Sequence, residues 1–127
     1  PNAKVRARAI AVGPDGFLYL ADPWGNHILR FSTDGQFQSL VDARADGADR
    51  KLSDQFAVGL GYIFAMDADG RMLHVWTADG RPKLDLDLAP ELGQGSRSAP
   101  SLAISPRKEL LVLDRPEARV FRYRLNF

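Results

Sequence analysis

Apolar residues in this chain fall in short blocks separated by turns rich in Gly, Pro and Asp. The pattern is clearest in the stretch AIAVGPDGFLYLADPWGNHILRFSTDG, Ala9 to Gly35. Ala9 to Val12 reads as a short strand. Gly13-Pro14-Asp15-Gly16 has the residues of a tight turn, because Pro fixes φ and Gly tolerates φ > 0. Phe17 to Ala21 is apolar at every position, so both faces of that strand are expected to be covered. Asp22 to Asn26 turns, His27 to Ser32 is a third strand, and Thr33-Asp34-Gly35 turns again. Gln36 to Val41 alternates polar with apolar residues, which predicts an outer strand with one wet face. Asp42 to Ser53 is polar and reads as a loop. Pro1 to Arg8 is a basic lead-in, either a linker or a charged edge strand.

The same order of elements returns twice. Phe56 to Gly80 (FAVGLGYIFAMDADGRMLHVWTADG) aligns with the first unit at an offset of 45, after one deletion in the first turn. Asp67 then matches Asp22, Trp76 matches Phe31, and Asp79-Gly80 matches Asp34-Gly35. Leu84 to Leu88 alternates strictly and is again an outer strand, and Ala89 to Pro100 is a second polar loop. Leu102 to the last residue aligns at an offset of 92, with Leu110 to Leu113 on Leu18 to Ala21, Asp114 on Asp22 and Tyr123 on Phe31. Its first turn, Ser105-Pro106-Arg107-Lys108, has poorer turn chemistry, and its fourth strand is expected to be missing. A period near 45 with four short strands per unit is the signature of an all-β fold, the β-propeller, with one blade per unit. Helical solenoids share the period but need long amphipathic helices, which the frequent Gly, Pro and Asp-Gly turns exclude. The blades are expected over about 7–41, 54–88 and 100–127, as one partial propeller domain of four-stranded antiparallel sheets with the last incomplete.

GPDGFLYLAD, followed by GNHILRF and then DG, resembles the NHL repeat. Asn26, His27 and Ile28 stand where the family takes its name, although Leu29-Arg30 departs from the usual order. The second unit keeps the spacing with Arg71-Met72 in place of Asn-His. The third keeps the apolar strand, Asp114 and Arg119-Val120-Phe121. The resemblance implies rings of commonly about six blades, within the range typical of propellers. Three blades would then be an excised part of a larger protein or half of a ring closed by a second copy. The chain begins at Pro1, as an excised or processed piece would. Some members bind single-stranded RNA, and related propellers include metal-dependent lyases and lactonases whose metal ligands surround the central channel.

Composition narrows these options. The formal net charge of +1 makes no global case for nucleic acid or an anionic membrane. There is no cysteine, hence no disulfide or thiolate metal site. No apolar run approaches membrane-spanning length, and no phosphate loop, serine-nucleophile motif or zinc spacing occurs. The innermost stretches Ala9 to Val12, Phe56 to Val58 and Leu102 to Ile104 carry no acidic residue, Asn or His, which weighs against the lyase option. No cofactor and no metal are expected. Chain reversal puts the inter-blade loops and the second-to-third-strand turns on one face, and that face has the longer loops. It offers Trp24, Arg44, Arg50, Arg71, Arg97 and Arg115 as candidate contacts for a protein or peptide, since Trp and Arg dominate binding hot spots. Asp22, Asp67 and Asp114 recur at one position and read as acceptors for backbone N–H groups of the following turn. His27 and His74 occupy different positions and form no repeated ligand set. Arg115, Arg119, Arg122 and Arg124 read as charge protecting a solvated edge strand.

Overall fold

The computed structural model describes residues 7–23, 26–44, 47, 50–88, 100–114 and 117–125. These form eleven strands: β1 (Ala9–Val12), β2 (Leu18–Asp22), β3 (His27–Phe31), β4 (Phe37–Asp42), β5 (Leu52–Gly59), β6 (Tyr62–Asp67), β7 (Met72–Thr77), β8 (Pro82–Asp87), β9 (Ser101–Ile104), β10 (Glu109–Asp114) and β11 (Arg119–Arg124). They build three antiparallel sheets, β1-β2-β3-β4, β5-β6-β7-β8 and β9-β10-β11. Every ladder joins strands that are consecutive in sequence. No helix is present among the described residues. The sheets are β-propeller blades, called blades 1, 2 and 3 below. β5 lies against both β1 and β9, so the first strands of the three blades line up side by side.

The repeat seen in sequence is a repeat in register. Leu20 opposes Leu29 and Leu29 opposes Leu40 in blade 1. Ala65 opposes His74 and His74 opposes Asp85 in blade 2. Val112 opposes Phe121 in blade 3. The third ladder slips at Arg30/Phe31 in blade 1 and at the equivalent Val75/Trp76 in blade 2. Turn chemistry repeats too. The Ser32 hydroxyl bonds the Asp34 carboxylate and accepts the Gln36 N–H, as the Thr77 hydroxyl does with Asp79 and Arg81.

The first turns differ in the way the sequences differ. In blade 1, Gly16 has φ of 83°, and a Cβ on Gly13 would stand 2.7 Å from Asp15 and 2.8 Å from the Tyr19 ring. The one-residue deletion in blade 2 gives a tighter turn with Leu60 and Gly61 both at positive φ, 57° and 81°. Blade 3 puts Lys108 in the left-handed region, φ 63°, where blade 1 uses glycine.

Two apolar layers glue the blades. Between blades 1 and 2 pack Tyr19, Ile28, Val41 and Ala43 against Leu52, Ile63, Ala65 and Trp76. Between blades 2 and 3 pack Phe64, Met66, Leu73, Val75 and Leu88 against Leu110 and Val112, with Leu102, Ile104, Phe121 and Tyr123 alongside. The second strand of blade 2, β6, is accordingly buried on both faces. β2 is not: Tyr19 and Ala21 are buried but Leu18 and Leu20 are only half-buried, because no described blade covers that side. Among the described residues, both faces are covered for β6, which has a blade at each side, and one face for β2, which has a blade at one side. A second departure concerns β5, which begins at Leu52 rather than within a loop ending at Ser53 and carries Asp54 and Gln55. The Ser53 hydroxyl donates to the Met66 carbonyl and accepts the Gln55 N–H, so an irregular step between Leu52 and Phe56 joins the extra residues to the sheet. An acidic residue therefore does stand on a first strand.

Candidate functional site

The inter-blade linker and the second-to-third-strand turns meet at one end of the sheets. Asn26 makes the junction in blade 1. It sits in the left-handed region, φ 55°, a conformation Asn tolerates better than most residues. Its carbonyl accepts the Ala43 N–H at 3.0 Å, and its buried Oδ1 accepts the Leu52 N–H at 2.9 Å. The side chain thus ties the turn of blade 1 to the first residue of β5. In blade 2 the Arg71 carbonyl accepts the Leu88 N–H at 2.7 Å, and Arg71 and Leu88 lie 45 residues beyond Asn26 and Ala43. The Lys51 carbonyl accepts the Ala68 N–H at 2.6 Å. The loop-bearing end is consequently a bonded surface.

The candidate arginines behave differently on it. Arg44 is exposed, with its N–H donating to Asp42 Oδ1 at 3.0 Å. Arg71 is exposed and reaches Asp87 at 3.1 Å, an ion pair about half open to water on each side. Arg50 points inward, contrary to the expectation of an exposed contact. It is 9% exposed, its Nε and Nη2 donate to the two oxygens of Asp85 at 3.3 and 3.2 Å, and its Nη1 donates to the Ala43 carbonyl at 3.1 Å. The planar guanidinium matches a carboxylate with two parallel bonds, so the side chain is committed to holding the linker. Trp24, Arg97 and Arg115 lie outside the described residues.

Arg50 belongs to a network that sequence inspection missed. His74 Nδ1 lies 2.8 Å from Asp85 Oδ1 and its Nε2 lies 3.3 Å from Asp67 Oδ2. Burial alone would raise Asp85, but hydrogen bonds from Arg50 and His74 hold its carboxyl below the ordinary value of 3.8. Burial likewise works against Asp67, and hydrogen bonds with Asp69 and then His74 keep it lowered. Asp69 is raised, first by its hydrogen bond with Asp67. The signal that would have found the network is the repeat itself: at the apolar pair Leu29 and Leu40, the second unit has His74 and Asp85. His74 is almost fully buried and, paired with Ala65, faces blade 1.

Of the recurring aspartates, Asp67 does accept a turn N–H, from Asp69 at 3.1 Å, and Asp114 receives Arg119 at 2.9 Å. Among the described residues no group of three or more His, Cys, Asp or Glu is placed to hold a metal ion. No helix there is long and apolar enough to cross a membrane. At the opposite end a shallow cleft lies between Leu60, Tyr62, Lys108 and Leu125.

The fold is shared with solved propellers. A catalytically inactive virginiamycin B lyase from Staphylococcus aureus, determined with quinupristin, superposes on the whole chain with a TM-score of 0.65 at 14% identity, over 44% of its own length. The WD40 repeats of RRP9 match 98% of the chain with a TM-score of 0.64 at 16% identity, over 40% of that protein. Hydrazine synthase of Kuenenia stuttgartiensis matches 96% with a TM-score of 0.60 at 15% identity, over 37% of its chain. This chain thus spans less than half the length of each. At such identities the likeness concerns the fold alone. No family model matches the sequence, and no curated protein does.

Proposed function

We propose that the chain is an NHL-type part of a larger propeller ring, completed by a second copy or by further blades. In this reading it serves as a binding scaffold that presents its loop-bearing end to a protein or peptide. The observation that carries the reading is the bonded junction at Asn26 and Arg71. Backbone and side-chain hydrogen bonds hold the linkers on the turns there, while the cationic heads of Arg44 and Arg71 remain exposed among Asp42, Asp69 and Asp87. A pre-organised mixed-charge surface of this kind loses little entropy on binding and suits a polypeptide better than a phosphate backbone. Propellers as different as a lyase and WD40 repeats share the architecture, so the fold alone does not choose among them.

The test is selection of a phage-displayed random peptide library on the purified chain. Enriched peptides are expected to lose at least about tenfold in affinity when Arg44 and Arg71 are both changed to Ala. They should keep their affinity when Arg81, on the opposite end, is changed. Enriched peptides indifferent to the Arg44 and Arg71 changes, or no enrichment at all, would overturn the reading.

A further inference from the structure

The two junctions between blades repeat in register but differ in what fills them at the tight-turn end. In blade 1 the Arg30 guanidinium lies 4.0 Å over the Phe17 ring and donates to the Tyr19 hydroxyl and to Asp15, each at 3.1 Å. An aromatic ring and a carboxylate thus hold a planar cation there. In blade 2 the counterparts of Phe17, Tyr19 and Arg30 are Tyr62, Phe64 and Val75, and after the one-residue deletion Leu60 stands for Pro14-Asp15. The Asp–Tyr–Arg trio therefore has no counterpart. On the following blade, the small Gly61 and Ala78 of the first junction give way to Lys108 and Leu125 at the second. The positions match in bonding as well: the Ala78 N–H donates to the Gly61 carbonyl at 3.0 Å, and the Leu125 N–H to the Lys108 carbonyl at 3.1 Å. The cleft between Leu60, Tyr62, Lys108 and Leu125 is the outcome of these exchanges. In blade 2 the residues after Ala78 pass onto the outer strand of blade 1, where Gly80 lies beside Leu40 and Val41, and leave the junction to Arg30. By the same repeat, a strand following Leu125 is led away from the cleft.

The cleft inverts the charge of the first junction. Leu60, Tyr62 and Leu125 make it apolar, Lys108 lines it, and the Lys83 ammonium stands 6.0 Å from the centre of the Tyr62 ring. Among the described residues no acidic side chain lines it. Lys108 and Leu60 hold their places at φ of 63° and 57°, where Gly16 serves blade 1 at φ 83°. Side chains kept at such strained positions collect at functional sites. The volume of about 160 Å³ matches a cavity that takes one benzene ring. It is about half the lower end of the range for sites that enclose a whole small ligand, so it suits one side chain of a larger partner.

We propose that this cleft binds an acidic peptide segment through a single aromatic side chain. The ring lies against Leu60, Tyr62 and Leu125, and carboxylates on either side of it meet Lys83 and Lys108. Charge complementarity selects the partner: two ammonium groups with no acid in the lining attract acidic flanks and repel basic ones. A nucleic-acid strand stacks on successive aromatic platforms, whereas this cleft has room for one ring. The inference goes beyond the scaffold reading, since the site lies at the other end of the sheets and shares no residue with it.

Titration of the isotope-labelled full chain with the peptide acetyl-Glu-Asp-Phe-Asp-Glu-amide, followed by NMR, tests it. Amide signals of Leu60, Tyr62, Lys108 and Leu125 are expected to shift, and those of Arg44 and Arg71 to stay. Replacing Phe by Ala in the peptide should weaken binding at least about tenfold, and so should Lys108→Gly in the chain. Glycine accepts positive φ freely, so Lys108→Gly should fold at least as well as the parent, which thermal unfolding checks. Leu60→Asn also suits its turn and should weaken binding to a smaller extent. Four results would overturn the inference: no shift at those four residues, binding that Lys108→Gly leaves intact, equal binding of the Phe and Ala peptides, or tighter binding of oligouridylate at the same residues. Shifts confined to Arg44 and Arg71 would overturn it and leave the scaffold reading standing.

Discussion

At the middle of the third strand, blade 1 carries Leu29 and blade 2 carries His74; across the ladder stand Leu40 and Asp85. The backbone geometry is the same, down to the slip one residue later. In blade 1 the pair is apolar and lies toward the uncovered side. In blade 2 it is polar, faces another blade, and is completed by Arg50 from the linker and Asp67 from β6. The repeat therefore fixes strand positions without fixing the chemistry at each position. Blade 2 takes on buried charge where it is most enclosed, and this is tolerated only because each charged group has a partner.

The largest effect should come from the equivalent aromatics. Trp76→Ala should cost about 3–5 kcal/mol, as expected for a fully enclosed aromatic. Phe31→Ala, at the same register in blade 1, should cost less than half as much because its face is open. Urea denaturation under conditions where the chain is monomeric reads both, and equal costs would mean that blade 1 is covered after all. Next comes the charged network. Asp85→Leu leaves His74 and Arg50 without their shared acceptor and should cost about 2–3 kcal/mol, below the range for a fully buried pair because the carboxylate is one-third exposed. Importing the apolar solution with Arg50→Met, His74→Leu and Asp85→Leu together should return stability to within about 1 kcal/mol of the parent. A triple variant as unstable as the single one would show that the network stabilises the blade in its own right.

The same variants sharpen the comparison in acid. Asp67 and Asp85 are lowered in the folded state, so their contribution is fully present above the unfolded value of 3.8 and is lost as pH falls through their folded values. Below about pH 4 the parent should lose stability more steeply than the triple variant. Thermal unfolding between neutral pH and pH 3 reads the difference, and parallel curves would remove the carboxylates as its cause. Asn26→Ala should cost about 1–3 kcal/mol, leaving the buried Leu52 N–H without its acceptor and putting at positive φ a residue that tolerates it less well than Asn. Asn26→Asp keeps the acceptor and should cost clearly less. Hydrogen exchange at Leu52 follows the loss directly. Smallest is a gain: Leu60→Asn should stabilise blade 2 by about 0.5–1 kcal/mol, because Asn-Gly suits two successive positive φ values. Denaturant midpoints suffice to see it.

The strands were legible in sequence because turns of the Asp-Gly kind punctuate them and because alternation separates outer from inner strands. The poorer turn of blade 3 was visible as Lys108 in a glycine position. Arg50 was misjudged because a polar loop is ordinarily a wet one, and its partner Asp85 lies on an outer strand 35 residues away. The early start of β5 was hidden for a similar reason: Ser53, Asp54 and Gln55 have the composition of a loop and are held in the sheet by an irregular step. Asn26 stood out as part of a motif, but only the folded chain shows that its side chain spans two blades. At the loop-bearing end, sequence grouped the linkers with the second-to-third-strand turns without telling which arginine turns inward.

Because every ladder joins strands that follow one another along the chain, each blade can form from local encounters, with little loop entropy lost before the contacts reward it. Such a chain behaves as a short linear array in which each unit is stabilised by itself and by its neighbours. Among the described residues, blade 2 packs on a blade at each side, and blades 1 and 3 on one each. A blade held between two others should therefore open later than one with a single neighbour, and during synthesis each finished blade should offer the next a surface on which to fold.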